Sequence, residues 1–98
     1  MKGWNYMDDD EFIRSRRGDL AQRTAKVLVE MSMSPNVRDV ERELHRIVGT
    51  CGTFGLAKGA HQAEQLLLGI RDGKDALVEN LSAELLALSV LFLDEGKS

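Results

Sequence analysis

The sequence predicts an all-α domain, and three observations carry that expectation. Strict apolar/polar alternation, the mark of a half-buried strand, is absent, and β-branched runs are few. Apolar residues recur instead at helical spacing. The stretches between these segments are short, around Pro35, Gly55 and Gly73. Connections this short force antiparallel neighbours, so the expected architecture is an up-down-up-down four-helix bundle. Residues 1–98 form one domain in this reading, with residues 1–7 as a short N-terminal extension.

The first helix is predicted to begin within Asp8-Asp9-Asp10-Glu11, because acidic side chains offset the positive end of the helix dipole. Ile13, Leu20, Val27 and Met31 lie on one broad apolar stripe, and Gly18 is expected to kink or split the helix. The segment Ser32-Met33-Ser34-Pro35-Asn36 ends it, since Pro disfavours helical geometry in the residue before it. A second helix runs from about Val37 toward Phe54, and a third from about Leu56 to Arg71. Asp72-Gly73 closes the third, with Gly suited to a left-handed C-terminal turn. A fourth covers about Lys74 to Asp94, with Leu77, Leu81, Leu85, Leu88 and Phe92 on its main face. No internal repeat, low-complexity tract or linker interrupts the chain.

Composition narrows the function. The chain has 98 residues, 13 Lys+Arg and 16 Asp+Glu, for a net charge of −3. That length supports one modest core rather than two lobes around a deep cleft. A mildly acidic balance does not suit a nucleic-acid binder. One Cys excludes an intrachain disulfide framework, and with two His it allows at most a sparse metal site. His45, His61 and Glu64 can be combined into a metal site on paper, but their spacing gives it no strong support, and no metal is expected. The longest nearly apolar run, Leu85 to Leu93, is too short to span a bilayer. The N-terminus lacks the apolar core of a secretion signal, so a cytoplasmic protein is expected.

Helix two carries the informative chemistry. With Val37 at zero and 100° per residue, Val40, Leu44, Ile47, Cys51 and Phe54 fall on an arc centred near ~310°. His45 falls near ~80°, off that arc, and should face solvent or the bundle rim. Gly49 and Gly52 share its side. Each mid-helix Gly costs roughly 1 kcal/mol relative to Ala. Packing against the core explains these two poorly, because their face lies away from the apolar arc. Clearance for a macromolecule approaching the imidazole explains them better. Arg38 and Arg42 lie on this side too and suit phosphate or carboxylate. His61 reads as a surface residue on helix three, and Cys51 as a small core residue with a raised thiol pKa.

The segment His45-Arg46-Ile47-Val48-Gly49-Thr50-Cys51-Gly52-Thr53-Phe54-Gly55 resembles the signature of histidine-containing phosphotransfer (HPt) domains. That signature has a His, an apolar residue at +2, usually Lys at +3, Gly at +4, small residues next and Gly at +10. His45, Ile47, Gly49, Thr50 and Gly55 stand at the matching places, and Gly52 to Gly55 is closest to the chemotaxis-kinase versions. The resemblance implies that His45 carries a phosphoryl group to or from an Asp of a response-regulator receiver domain. It implies a carrier in a multistep phosphorelay, without ATP-dependent kinase activity; no nucleotide-binding loop is present. The implied partners are that receiver and a hybrid sensor histidine kinase. No cofactor is implied on this chain, since Mg²⁺ and the acidic cluster belong to the receiver. A free monomer is expected, apart from membranes and nucleic acid.

Two departures from the family pattern stand out. The +3 Lys, which would neutralise phosphoryl charge, is Val48; Arg42 and Arg46 are the candidate replacements. The Glu or Gln often found at +22 is Leu67, and Glu64 at +19 is the candidate for orienting the imidazole. Gly49, Gly52, Arg38, Ala57 and Leu68 are the candidate partner-docking residues. Leu86, Val90 and Leu93, opposite the main face of helix four, are expected to cover Trp4, Tyr6 and Met7 or to form a dimer contact. The alternative function is a helical adaptor that binds receiver or kinase domains without being phosphorylated, as Val48 suggests. An accidental, dimerising bundle ranks below both. A dimeric kinase phosphoacceptor domain is disfavoured, because its acidic residue after the His is Arg46 here.

Overall fold

The computed structural model describes residues 9–97, with side chains from residue 15 onward. These residues form five α-helices and no strand: α1 (Asp9–Met33), α2 (Val37–Thr53), α3 (Ala57–Arg71), α4 (Asp75–Glu79) and α5 (Leu81–Gly96). The readings placed on Trp4, Tyr6 and Met7 and on the side chain of Ile13 lie outside the described residues. No helix is long and apolar enough to cross a membrane among the described residues.

The helix boundaries follow local chemistry. Asn36 caps α2, its side chain accepting the Asp39 backbone N–H at 3.2 Å. Gly55 (φ +83°) and Gly73 (φ +72°) turn the chain after α2 and α3, where an L side chain would be strained. The start of α3 has no cap from its own N-cap residue, Leu56. Glu95, at the far end of α5, supplies one instead. Its carboxylate accepts the backbone N–H groups of Lys58 and Gly59 at 2.9 and 2.7 Å.

Five helices stand where four were expected. The fourth is broken at Asn80, which ends α4 and begins α5. Asn80 has non-helical backbone angles (φ −106°, ψ 22°), and its Nδ2 donates to the Ala76 carbonyl at 2.8 Å. A short amide side chain that bonds nearby backbone competes with helix continuation. The split expected at Gly18 does not occur, and α1 runs through it as one helix. Gly18 lies instead where α1 meets the end of α5: a Cβ there would sit 3.8 Å from the Gly96 carbonyl oxygen, and one on Gly96 would collide with Ala21. The glycine at 96, against Ala21, permits the close contact between the two helices.

The principal packing pairs are α1 with α5, α2 with α3, and α3 with α5, while α1 touches α2 only lightly. The Ser82 hydroxyl donates to the Ser32 carbonyl at 2.7 Å and ties the start of α5 to the end of α1. The Arg71 Nε donates to Glu41 at 3.1 Å and ties the end of α3 to the start of α2. The core is one cluster drawn from α1, α2, α3 and α5, and Leu28, Val40, Leu44, Leu56, Leu85 and Phe92 are fully enclosed in it. On α1 the buried stripe is Leu20, Ala21, Thr24, Ala25 and Leu28. Val27 and Met31, expected in the core, are half-buried. On α5, Leu81, Leu85, Leu88 and Phe92 are buried as expected. Leu77 on α4 is half-buried.

Two residues test this packing. The ring of Phe92 lies directly on Gly59, where any Cβ would clash with it. Gly59→Ala is expected to cost about 1–3 kcal/mol of stability through overpacking. Glu95→Ala, which leaves the start of α3 uncapped, is expected to cost about 1–2 kcal/mol. Urea or thermal unfolding measures both.

Candidate functional site

The amphipathic division of α2 builds the site. Val40, Leu44, Ile47 and Cys51 are buried, with relative exposures of 0–1%. His45, one residue past Leu44, is exposed. It opens onto a shallow hollow of about 260 Å³ lined by Arg38, Glu41, Arg42, His45 and Arg71. Four of these come from one face of α2, and Arg71 reaches in from α3.

The hollow is cationic, with three guanidinium groups against the single carboxylate of Glu41. Arg42 stands clear of the surface, 80% exposed at the side chain, with its Nη1 3.8 Å from Asp39. Pairs this exposed are weak, so Arg42 is free to turn toward another anion. Arg38 is exposed and has no hydrogen-bond or ion-pair partner among the described residues. Arg71 is half-exposed and held by Glu41.

Arg46, proposed from sequence beside Arg42, does not line this hollow. It is engaged by the Glu43 carboxylate, which both hydrogen-bonds it and holds its guanidinium pKa above the usual range. Its side chain borders a separate groove between α1 and α2, with Leu20, Arg23, Thr24, Val27 and Thr50. The helical wheel explains the separation, since consecutive residues diverge by 100°.

Gly49 and Gly52 are both exposed, but in different settings. A Cβ on Gly49 would have no heavy atom within 4 Å. A Cβ on Gly52 would make an ordinary 3.9 Å contact with Ala60 of α3. Nothing inside the fold therefore requires glycine at position 49. Val48, at the place of the missing lysine, is half-buried and packs against the core cluster.

The Arg71–Glu41 hydrogen bond, and the position of Ala60 opposite Gly52, report the register of α3 on α2. By that register Leu67 and Leu68 lie level with His45, and Glu64 lies level with Val48, about one turn away. Leu67 is buried and Leu68 is 46% exposed. Glu64 is exposed and makes no hydrogen bond or ion pair among the described residues, so no contact joins it to His45. Ala57, also exposed, opens α3 at the end remote from Arg71. Glu41 and Arg71 were missed by the sequence reading. Arg71 comes from another helix, and only its register on α2 reveals it.

The other polar residues stand apart. His61 is exposed on α3 and absent from the hollow's lining. Among the described residues no group of three or more His, Cys, Asp or Glu is placed to hold a metal ion. Cys51 is buried beside Thr24, with Sγ and Oγ1 3.6 Å apart. Burial pushes its thiol pKa up, against the smaller opposing effect of Thr24.

A family model described as "Hpt domain" matches residues 11–91, most of the chain and every element that builds the hollow. Neither a comparison with curated proteins nor one with solved structures returns a significant match. Domains of this family are histidine phosphotransfer modules of phosphorelays, carriers rather than kinases, and they work with receiver domains and kinases. On the strength of that match over the helical segment bearing His45, the chain belongs to the Hpt domain family.

Proposed function

We propose that this protein carries a phosphoryl group on His45 within a multistep phosphorelay, exchanging it with the Asp of a response-regulator receiver domain. The observation that carries this reading is the exposed imidazole on a hollow rimmed by Arg38, Arg42 and Arg71. The scaffold is read as an antiparallel four-helix bundle in which α4 and α5 together take the fourth position.

The chemistry asks little of the carrier. A neutral imidazole is a good nucleophile near pH 7. Its unprotonated ring nitrogen attacks phosphorus in line as the aspartyl P–O bond breaks, and the carboxylate leaves with the bonding pair. The reverse step returns the group. Such transfer depends on positioning and on neutralising charge rather than on covalent machinery. Arg42 and Arg71 lie on either side of His45 and supply that charge in place of the lysine that Val48 replaces. Arginine also offers paired N–H donors matched to phosphoryl oxygens. The divalent cation comes with the receiver and its acidic cluster.

Docking follows from the same face. Gly49 leaves the approach open, and Leu68, level with His45, offers an apolar contact beside the cations. A hybrid sensor histidine kinase is the proposed upstream partner, and the cytoplasm the compartment where they meet.

The test is transfer from a phosphorylated receiver domain. Acid-labile, base-stable label is expected on wild type and absent from His45→Gln. Receiver binding without label identifies the adaptor instead, and neither binding nor label sinks both readings. Arg42→Ala is expected to slow transfer by about 10-fold, the loss of one charge-assisted contact.

Gly49→Ala separates internal from external demand. It is expected to raise stability by about 0.5–1 kcal/mol, because the added methyl meets nothing and Ala favours the helix. Receiver docking, measured by titration, is expected to weaken in the same variant. Unchanged docking would remove clearance as the reason for the glycine.

A further inference from the structure

We infer that Arg71 changes partners when His45 is phosphorylated, leaving Glu41 for the phosphoryl oxygens, so that Glu41 holds this cation ready and sets how strongly it engages. The inference rests on the carrier reading and goes beyond it, to how the loaded and unloaded states differ.

Geometry points to Arg71 among the three arginines. Arg38 lies seven residues before His45, about 10 Å along the helix axis. Arg42 is within one turn, but it shares the helix with His45 and stands far out in solvent. Arg71 alone approaches from α3, across the seam beside the imidazole. Glu41 and His45 are four residues apart on α2 and so occupy one face, one turn from each other. A guanidinium anchored at Glu41 therefore needs to move by only about one turn to meet a group on His45.

The charges favour the exchange. The Arg71–Glu41 pair uses the Nε donor at 3.1 Å, and its two side chains are 49% and 35% exposed. A pair so open to water is held loosely. A phosphoryl group brings about −1.5 to −2 charges and three strong acceptors against the single charge of Glu41. The terminal nitrogens of Arg71 can take two of those oxygens in parallel. Without the phosphoryl group, Glu41 keeps the arginine over the hollow rather than free in solvent. With it, Glu41 becomes the competitor.

The full chain can be loaded without its partner by phosphoramidate. The unprotonated ring nitrogen attacks phosphorus, the new N–P bond forms as the donor's breaks, and the donor nitrogen leaves as ammonia. Phosphorus NMR then follows the phosphohistidine signal against pH and reads the second ionisation of the phosphoryl group, which an engaged cation makes easier. Wild type, Glu41→Gln, Arg71→Gln and the double variant are compared, with thermal unfolding to show that each is folded.

Arg71→Gln is expected to raise that ionisation by about half a pH unit relative to wild type. Glu41→Gln is expected to lower it, and the double variant to match Arg71→Gln. An Arg71→Gln titration identical to wild type overturns the exchange while leaving the carrier intact. So does a Glu41→Gln effect that persists in the Arg71→Gln background, since Glu41 would then act by its own charge alone. No phosphohistidine on wild-type His45 removes the carrier reading, and the exchange with it.

Discussion

The angular offset between Leu44 and His45 is the constraint from which the site follows. Leu44 is wholly enclosed, and an α-helix turns the next side chain by 100°. As long as α2 stays helical and Leu44 stays in the core, His45 must stand outside. The core residues at Val40, Ile47 and Cys51 fix the same rotation independently. The imidazole thus needs no dedicated structure to hold it in solvent. Burial of the opposite face does that, and most of the hydrophobic free energy of α2 also sets the geometry of its chemistry.

The second requirement is that α3 keep its register, because one wall of the hollow is borrowed from it. Two anchors from α5 hold the start of α3 in place at a distance from the site. Phe92 lies on Gly59, and Glu95 caps the first exposed N–H groups. Both come from α5, which also packs along α1. The position of Arg71 beside His45 therefore depends on helices that never touch the hollow. This is a physical reason for a domain with so little catalytic machinery to need a complete core.

The sequence was most legible where one helix alone decides the outcome. The boundaries of α2 and α3, the buried arc on α2 and the exposure of His45 all follow from a period of 3.6 residues and from turn chemistry at Pro35, Gly55 and Gly73. Contacts between helices were less legible. Gly18 looks like a break in isolation, yet α1 runs through it, and the glycine that the α1–α5 contact requires is Gly96, where a Cβ would collide with Ala21. On α1 the buried stripe is made largely of alanines and Thr24, which a search for large apolar residues passes over in favour of Val27. Asn80 interrupts a pattern whose leucines continue on both sides, so periodicity alone reads through it. At the site, Arg46 was chosen for its nearness in sequence and Arg71 was overlooked for its distance.

The replacement of lysine by Val48 then has a coherent physical account. A lysine three residues after the histidine sits on the same helix and places its charge by a long, flexible stem. Val48 gives that position to the core, where it packs half-buried against the hydrophobic cluster. The cations that line the hollow with His45 are instead arginines, among them Arg42 and Arg71, and the proposed function gives them the lysine's role. Arg71 is directed toward the hollow by its exposed contact with Glu41 of a second helix, loose as that contact is. Such an arrangement would place a charge from a neighbouring helix rather than from the helix of the histidine. Its cost would be that this charge already has an anion, Glu41, as a competitor. On the proposed carrier reading, a phosphoryl dianion with three acceptor oxygens would compete for Arg71 with one partly exposed carboxylate, and the hollow would keep its cationic wall whichever anion held the arginine.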